Sequence, residues 1–186
     1  YRPKRRTRAT IAKEKGLEPL ANIIMLQMTG EPVVKTAEEY VSEEKDVKTP
    51  EDAVAGAKDI IAESISDNAD YRTRIRELTF KEGVLTSAAK DAEAKTVYEM
   101  YYNFSEPVAK MAGHRILAVN RGENEKILTV KIEAPVDKIL SYLEKQIIVR
   151  DNRYTTGIIK EAIEDSYERL IAPSIEREIR NQLTET

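Results

Sequence analysis

The stretch TPEDAVAGAKDIIAESISDNADYRTRIRELTFKEG, residues 49–83, decides the fold. Its first four residues, Thr49-Pro50-Glu51-Asp52, carry the chemistry of a helix start. The threonine hydroxyl accepts from an orphan amide, proline fits the first helical position, and two acids face the positive end of the dipole. Val54, Ala57, Ile61 and Ile65 then fall on one stripe of a 3.6-residue repeat. Asp67-Asn68 interrupts that stripe, and Tyr71, Ile75 and Leu78 resume it at intervals of four and three until Gly83. The pattern predicts two tightly joined helices.

The same signs recur outward in both directions. Towards the amino terminus, Thr7 or Thr10 can cap a short helix that Gly16 closes, and Pro19 opens the next one before an apolar run from Leu20 to Met28. Thr36-Ala37-Glu38-Glu39 has the spacing of a capping box. Towards the carboxyl terminus, Ile159, Ala162, Ile163, Tyr167 and Leu170 form one face, Pro173 is expected to break it, and Ile175, Ile179 and Leu183 form another.

The middle is less regular. Leu128, Val130 and Ile132 alternate with Thr129 and Lys131, the period of a half-buried strand. Residues 114–122 fit either a helix capped near Gly113 or a partner strand turning at Asn120-Arg121-Gly122. The apolar run after Arg115 alternates poorly, which favours helix. Ser105-Glu106-Pro107 reads as a turn into a short helix. The expected fold is therefore mainly α, a multi-helix domain with one short β element around 127–133.

Composition narrows the function classes. At 186 residues the chain suits one domain or two closely packed lobes. Without cysteine there is no disulfide framework, thiolate metal site or cysteine nucleophile, and the composition fits a reducing compartment. No apolar run approaches the length of a membrane span, so a cytoplasmic protein without membrane contact is expected. Arg2, Lys4, Arg5, Arg6, Arg8, Lys13 and Lys15 against Glu14 give the first fifteen residues a net charge of +6. The whole chain carries −3, which leaves −9 for the remainder. An acidic body with a basic edge is implied, here a segment 1–16 ahead of a helical region 17–186 whose two lobes would meet near 84–105.

RPKRRTR admits two roles. Its cations Arg2, Lys4, Arg5, Arg6 and Arg8 can neutralise phosphates and release counterions, or they can tie an ordered connector to acidic helices of the same chain. Arg115 and Arg121 are further phosphate candidates, although pairing with Glu123 or Glu125 is the commoner fate of such arginines. His114 is the only histidine, so it cannot join a multi-histidine metal site, and no nucleophile or orienting acid is evident beside it. Packing or capping at a helix start suits it better than catalysis. Tyr98, Tyr101, Tyr102 and Phe104 can stack bases, but their spacing fits a core-facing element better. The acids Glu161, Glu164, Asp165 and Glu168 read as a solvated helix face paired with Lys160 or Arg169. No glycine-rich phosphate loop, serine elbow or paired-carboxylate signature appears. Neither catalytic activity, nor a resident metal, nor a cofactor is expected.

Three stretches carry a family resemblance: YRPKRRTRATIAKEKGLEPLA at 1–21, FSEPVAKMAGHRILAVNRGENEK at 104–126, and RLIAPSIEREIRNQLTE at 169–185. In this order they resemble the amino-terminal helical region of the Tex family of bacterial transcription accessory proteins. The resemblance implies a part of a larger multidomain protein, in which a ribonuclease H-like YqgF domain, helix-hairpin-helix elements and an RNA-binding OB-fold follow this region. A chain that begins without methionine and ends inside a helical pattern fits that expectation. The implied role is a scaffold contributing to nucleic-acid binding and transcription regulation, with RNA or DNA held mainly through the other domains. The alternative is a protein-interaction module that positions the neighbouring YqgF-like domain without direct nucleic-acid contact.

Overall fold

The computed structural model describes residues 6–185. Helix dominates, as the caps and apolar stripes require. The first helices are α1 (Arg8–Glu14), α2 (Glu18–Leu26), α3 (Val33–Ala37), α4 (Pro50–Asp67) and α5 (Ala69–Glu82). Strands β1 (Val84–Ala89) and β2 (Asn103–Pro107) come next, then α6 (Gly113–Asn124), β3 (Leu128–Glu133), α7 (Val136–Ile147), α8 (Thr156–Asp165) and α9 (Ala172–Glu185). The chain forms two compact units: one comprises described residues 6–71 and 140–171, the other 72–139 and 172–185. Residues 84–105 lie wholly inside the second.

In the first unit α4 is the central element, flanked by α1, α2, α3 and α8. Thr49 caps it by accepting from the Asp52 amide at 3.1 Å, with Pro50 opening the first turn. Thr7 caps α1 in the same way through the Thr10 amide. Small residues bring α1 close to α4: Ala9, Ala12, Ala53 and Ala57 are all buried, and a Cβ built on Gly56 collides with the Leu17 side chain. Leu20, Ile24, Ile159 and Ile163 have no exposed surface, each such burial worth about 1.5–3 kcal/mol.

A buried amide stitches this unit together at a distance in sequence. Gln27 takes the left-handed conformation, φ 56°, at the end of α2 and is almost fully buried. Its Nε2 donates to the Ile147 carbonyl at 2.9 Å, while its Oε1 accepts from the amides of Val149 and Arg150. Those bonds satisfy the side chain that the strained backbone position would otherwise leave costly to bury.

The second unit holds one antiparallel sheet in the order β2-β1-β3. The expected strand is present as β3, but it is not alone. Leu85 lies opposite Ile132 on one side and Glu106 on the other. Residues 105–107 thus belong to β2, not to a turn. Residues 113–124 are helix, and Gly122 marks a close approach within it: a Cβ there overlaps Leu128 of β3 and crowds Tyr98.

Two local expectations are corrected. Thr36 lies inside α3 and its hydroxyl donates to Glu31 at 2.8 Å, so no capping box forms with Glu39; the helix already begins at Val33, directly after Pro32. Pro173 does not break the last helical stretch, because a π-helical segment at Ser166–Ile171 leads straight into α9, where Pro173 occupies the second position. A wider turn accommodates the missing amide there.

Candidate nucleic-acid interface

The sequence candidates separate into three groups. Arg2, Lys4 and Arg5 lie outside the described residues. Arg6 forms an ion pair with Glu14 of α1. Arg8, exposed at the start of α1, sits in the field of two acids, Asp59 of α4 and Asp165 of α8. Hydrogen bonding from Arg169, with Nη2 2.8 Å from Oδ2, holds the Asp165 carboxyl below its ordinary value, and the charges of Arg169 and Arg8 act in the same direction against partial burial. Burial pushes Asp59 the other way, upward, despite those arginines. The acids of this face are engaged differently from the expected pattern: Glu161 takes Lys58 of α4 at 2.8 Å, not Lys160, while Asp165 does take Arg169.

Arg115 is paired as well. Its Nη1 lies 2.7 Å from Glu106 of β2, so neither Glu123 nor Glu125 is its partner. His114 is exposed in the first turn of α6. Tyr98 and Tyr101 are each 5% exposed, with Tyr101 edge-on to Phe104 at 5.2 Å. They belong to the core and present no stacking platform.

Arg121 stands apart. It is exposed on α6, with no carboxylate in ion-pair distance among the described residues. It lines a cleft of about 840 Å³ between α6 and α9, with Val130 of β3 in the lining. Arg177 and Arg180 enter the same cleft from α9, two residues that the sequence reading passed over. Arg180 braces the cleft: Nη2 lies 2.6 Å from Asn120 and 2.7 Å from Glu123, and the buried Nε has no acceptor among the described residues. Glu176, also in the lining, accepts the Ile132 amide of β3 at 3.0 Å. The spacing Arg177, Arg180, Thr184 along one face of α9 was the available signal, masked by the apolar stripe of Ile175, Ile179 and Leu183 beside it.

Residues 29–186 match the family described as Tex central region-like. The chain belongs to the Tex family. It is 54% identical over 188 residues to protein YdcI of Bacillus subtilis, covering 100% of this chain and 26% of that protein. It is 30% identical over 195 residues to the transcriptional accessory protein Tex of Neisseria gonorrhoeae, covering 100% of this chain and 25% of the other. The human S1 RNA-binding domain-containing protein 1 is 31% identical over 196 residues, 96% of this chain and 19% of its own length. The chain thus spans about a quarter or less of these Tex-related proteins. Among the described residues no helix is long and apolar enough to cross a membrane, and no group of three or more acidic or histidine side chains is placed to hold a metal ion.

Proposed function

We propose that this Tex-family chain is a non-catalytic helical scaffold of a cytoplasmic transcription accessory protein, making a secondary contribution to nucleic-acid binding while other domains supply the main grip. The observation that carries this reading is the division among its cations. Arg6, Arg8 and Arg115 face carboxylates of the chain itself, which suits an ordered framework, whereas Arg121 faces an open cleft. Names of relatives support the same direction, one being a transcriptional accessory protein and another carrying an S1 RNA-binding domain.

A second reading, an interaction module that positions the neighbouring YqgF-like domain or transcription partners, is favoured by Leu26, Met28 and Val149. Each is more than 60% exposed, and Gln27 holds their backbones near one another. Titrating the 186-residue chain beside a full-length relative against single-stranded RNA separates the two. The scaffold reading expects weak, salt-sensitive binding by the chain and tighter binding by the relative. No binding by the chain at low salt favours the interaction module, and equal affinity contradicts a secondary role.

A further inference from the structure

The cleft between α6 and α9 combines three features that a polyanion requires. First, its free cations are on the surface: Arg121 and Arg177 are exposed and have no carboxylate in ion-pair distance among the described residues. Second, the lining is net positive: Arg121, Arg177 and Arg180 stand against Glu123, whose charge Arg180 offsets, and Glu176, which accepts the Ile132 amide and keeps its charge. Third, the bracing of Arg180 by Asn120 and Glu123 fixes one wall against the other before any ligand arrives. Preorganised walls reduce the ordering cost of binding.

The rest of the lining narrows the class of polyanion. Exposed Asn124 and Asn181 offer amides that both donate and accept, the chemistry of base edges, and Leu117, 53% exposed, adds apolar surface for a sugar or base. A concave seat between two helices suits a flexible strand whose bases are free more than a paired duplex whose base edges are turned inward. We infer that this cleft seats a short single-stranded stretch of nucleic acid, with Arg121 and Arg177 on its phosphates. The inference rests on the nucleic-acid reading above and deepens it by assigning a place and a strand type.

The test measures affinity against salt for the 186-residue chain, using a single-stranded RNA, a DNA of the same sequence, a duplex of the same length and polyglutamate. Each phosphate neutralised on a single strand contributes about 0.7 to the slope of log affinity against log salt, so R121Q/R177Q is expected to flatten the slope by about 1.4. R74Q, which removes an exposed cation elsewhere in the same unit, is expected to leave it unchanged. R121K/R177K, with both charges kept, is expected to retain most of the slope. Should the glutamine pair unfold the protein, Asn124→Glu supplies a second handle, expected to weaken strand binding with a native unfolding curve. Preference for either single strand over the duplex supports the seat, and the RNA and DNA arms identify which strand fills it. A folded R121Q/R177Q with the original slope overturns the inference, as does polyglutamate binding as tightly as the strands. Absence of any binding by the unsubstituted chain at low salt overturns the nucleic-acid reading along with it. Binding that survives R121Q/R177Q but is lost on substituting Arg6 and Arg8 overturns this inference alone.

Discussion

Position 56 has no room for a Cβ, and position 157 has nothing within 4 Å of one. Both lie in helices, where alanine is intrinsically better than glycine by about 0.5–1 kcal/mol. At Gly56 that gain meets the buried Leu17 side chain, and overpacking costs about 1–3 kcal/mol, so Gly56→Ala is expected to lose stability by about 1 kcal/mol net. Gly157→Ala, in the first turn of α8 where the penalty on glycine is smaller than in mid-helix, is expected to gain up to about 0.5 kcal/mol. Urea unfolding of the two variants reads both signs, and a stable Gly56→Ala contradicts the close packing of Leu17 on α4. Acid titration tests the same scale. Asp165 has its pKa lowered in the folded state, chiefly by the Arg169 hydrogen bonds. Its stabilisation is present above the ordinary carboxylate value and disappears as pH falls through the lower folded value. Asp165→Asn is therefore expected to narrow the stability gap between neutral and acid pH, slightly, because the pair is partly exposed. An unchanged gap would show that the contact is lost in solution.

At the scale of elements, the α8–α9 passage is the most exacting. Ser166 begins the π-helical segment and its Oγ donates to the Ala62 carbonyl at 2.6 Å, fully buried. Ser166→Ala is expected to cost about 0.5–1.5 kcal/mol in chemical unfolding. Ile163→Ala, at a site with no exposed surface, is expected to cost about 2–5 kcal/mol. Half-buried Leu170 should respond less, and equal losses at the two positions would mean that the face is turned differently. Helices that own a cap and apolar positions at helical spacing were legible in the sequence, as α1, α4 and α5 attest, and α2 was legible from Pro19 in its first turn and the apolar run behind it. β3 was legible because it alternates. β1 and β2 were not, for a physical reason: Thr86, Ser87, Ala88 and Ala89 carry little apolar contrast, and Ser87 is buried by a hydrogen bond to the Tyr101 carbonyl instead of by hydrophobicity. Gly122 kept a strand turn open as the alternative to the favoured helix, since its glycine serves a close helix–strand contact that only the tertiary fold defines.

For the whole molecule, the basic edge visible in the sequence and the cleft visible only in the structure make different claims on nucleic acid. The charge run was easy to read, and Arg121 was among the candidates, but the sequence could not say which arginines the fold would neutralise. Arg6, Arg8 and Arg115 acquired acidic neighbours that lie from 8 to more than 100 residues away in some cases, such as Glu14 for Arg6 and Asp165 for Arg8. Arg177 and Arg180 join Arg121 only because α9 returns beside α6. The central claim is that the cations left without acids are the ones that bind. Its most direct test is the salt dependence of single-stranded RNA binding for the 186-residue chain, compared between R6Q/R8Q and R121Q/R177Q. The account expects the cleft pair to flatten the slope by about 1.4 and the α1 pair to flatten it by less than about 0.7. A slope that collapses with R6Q/R8Q and is untouched by R121Q/R177Q would contradict it.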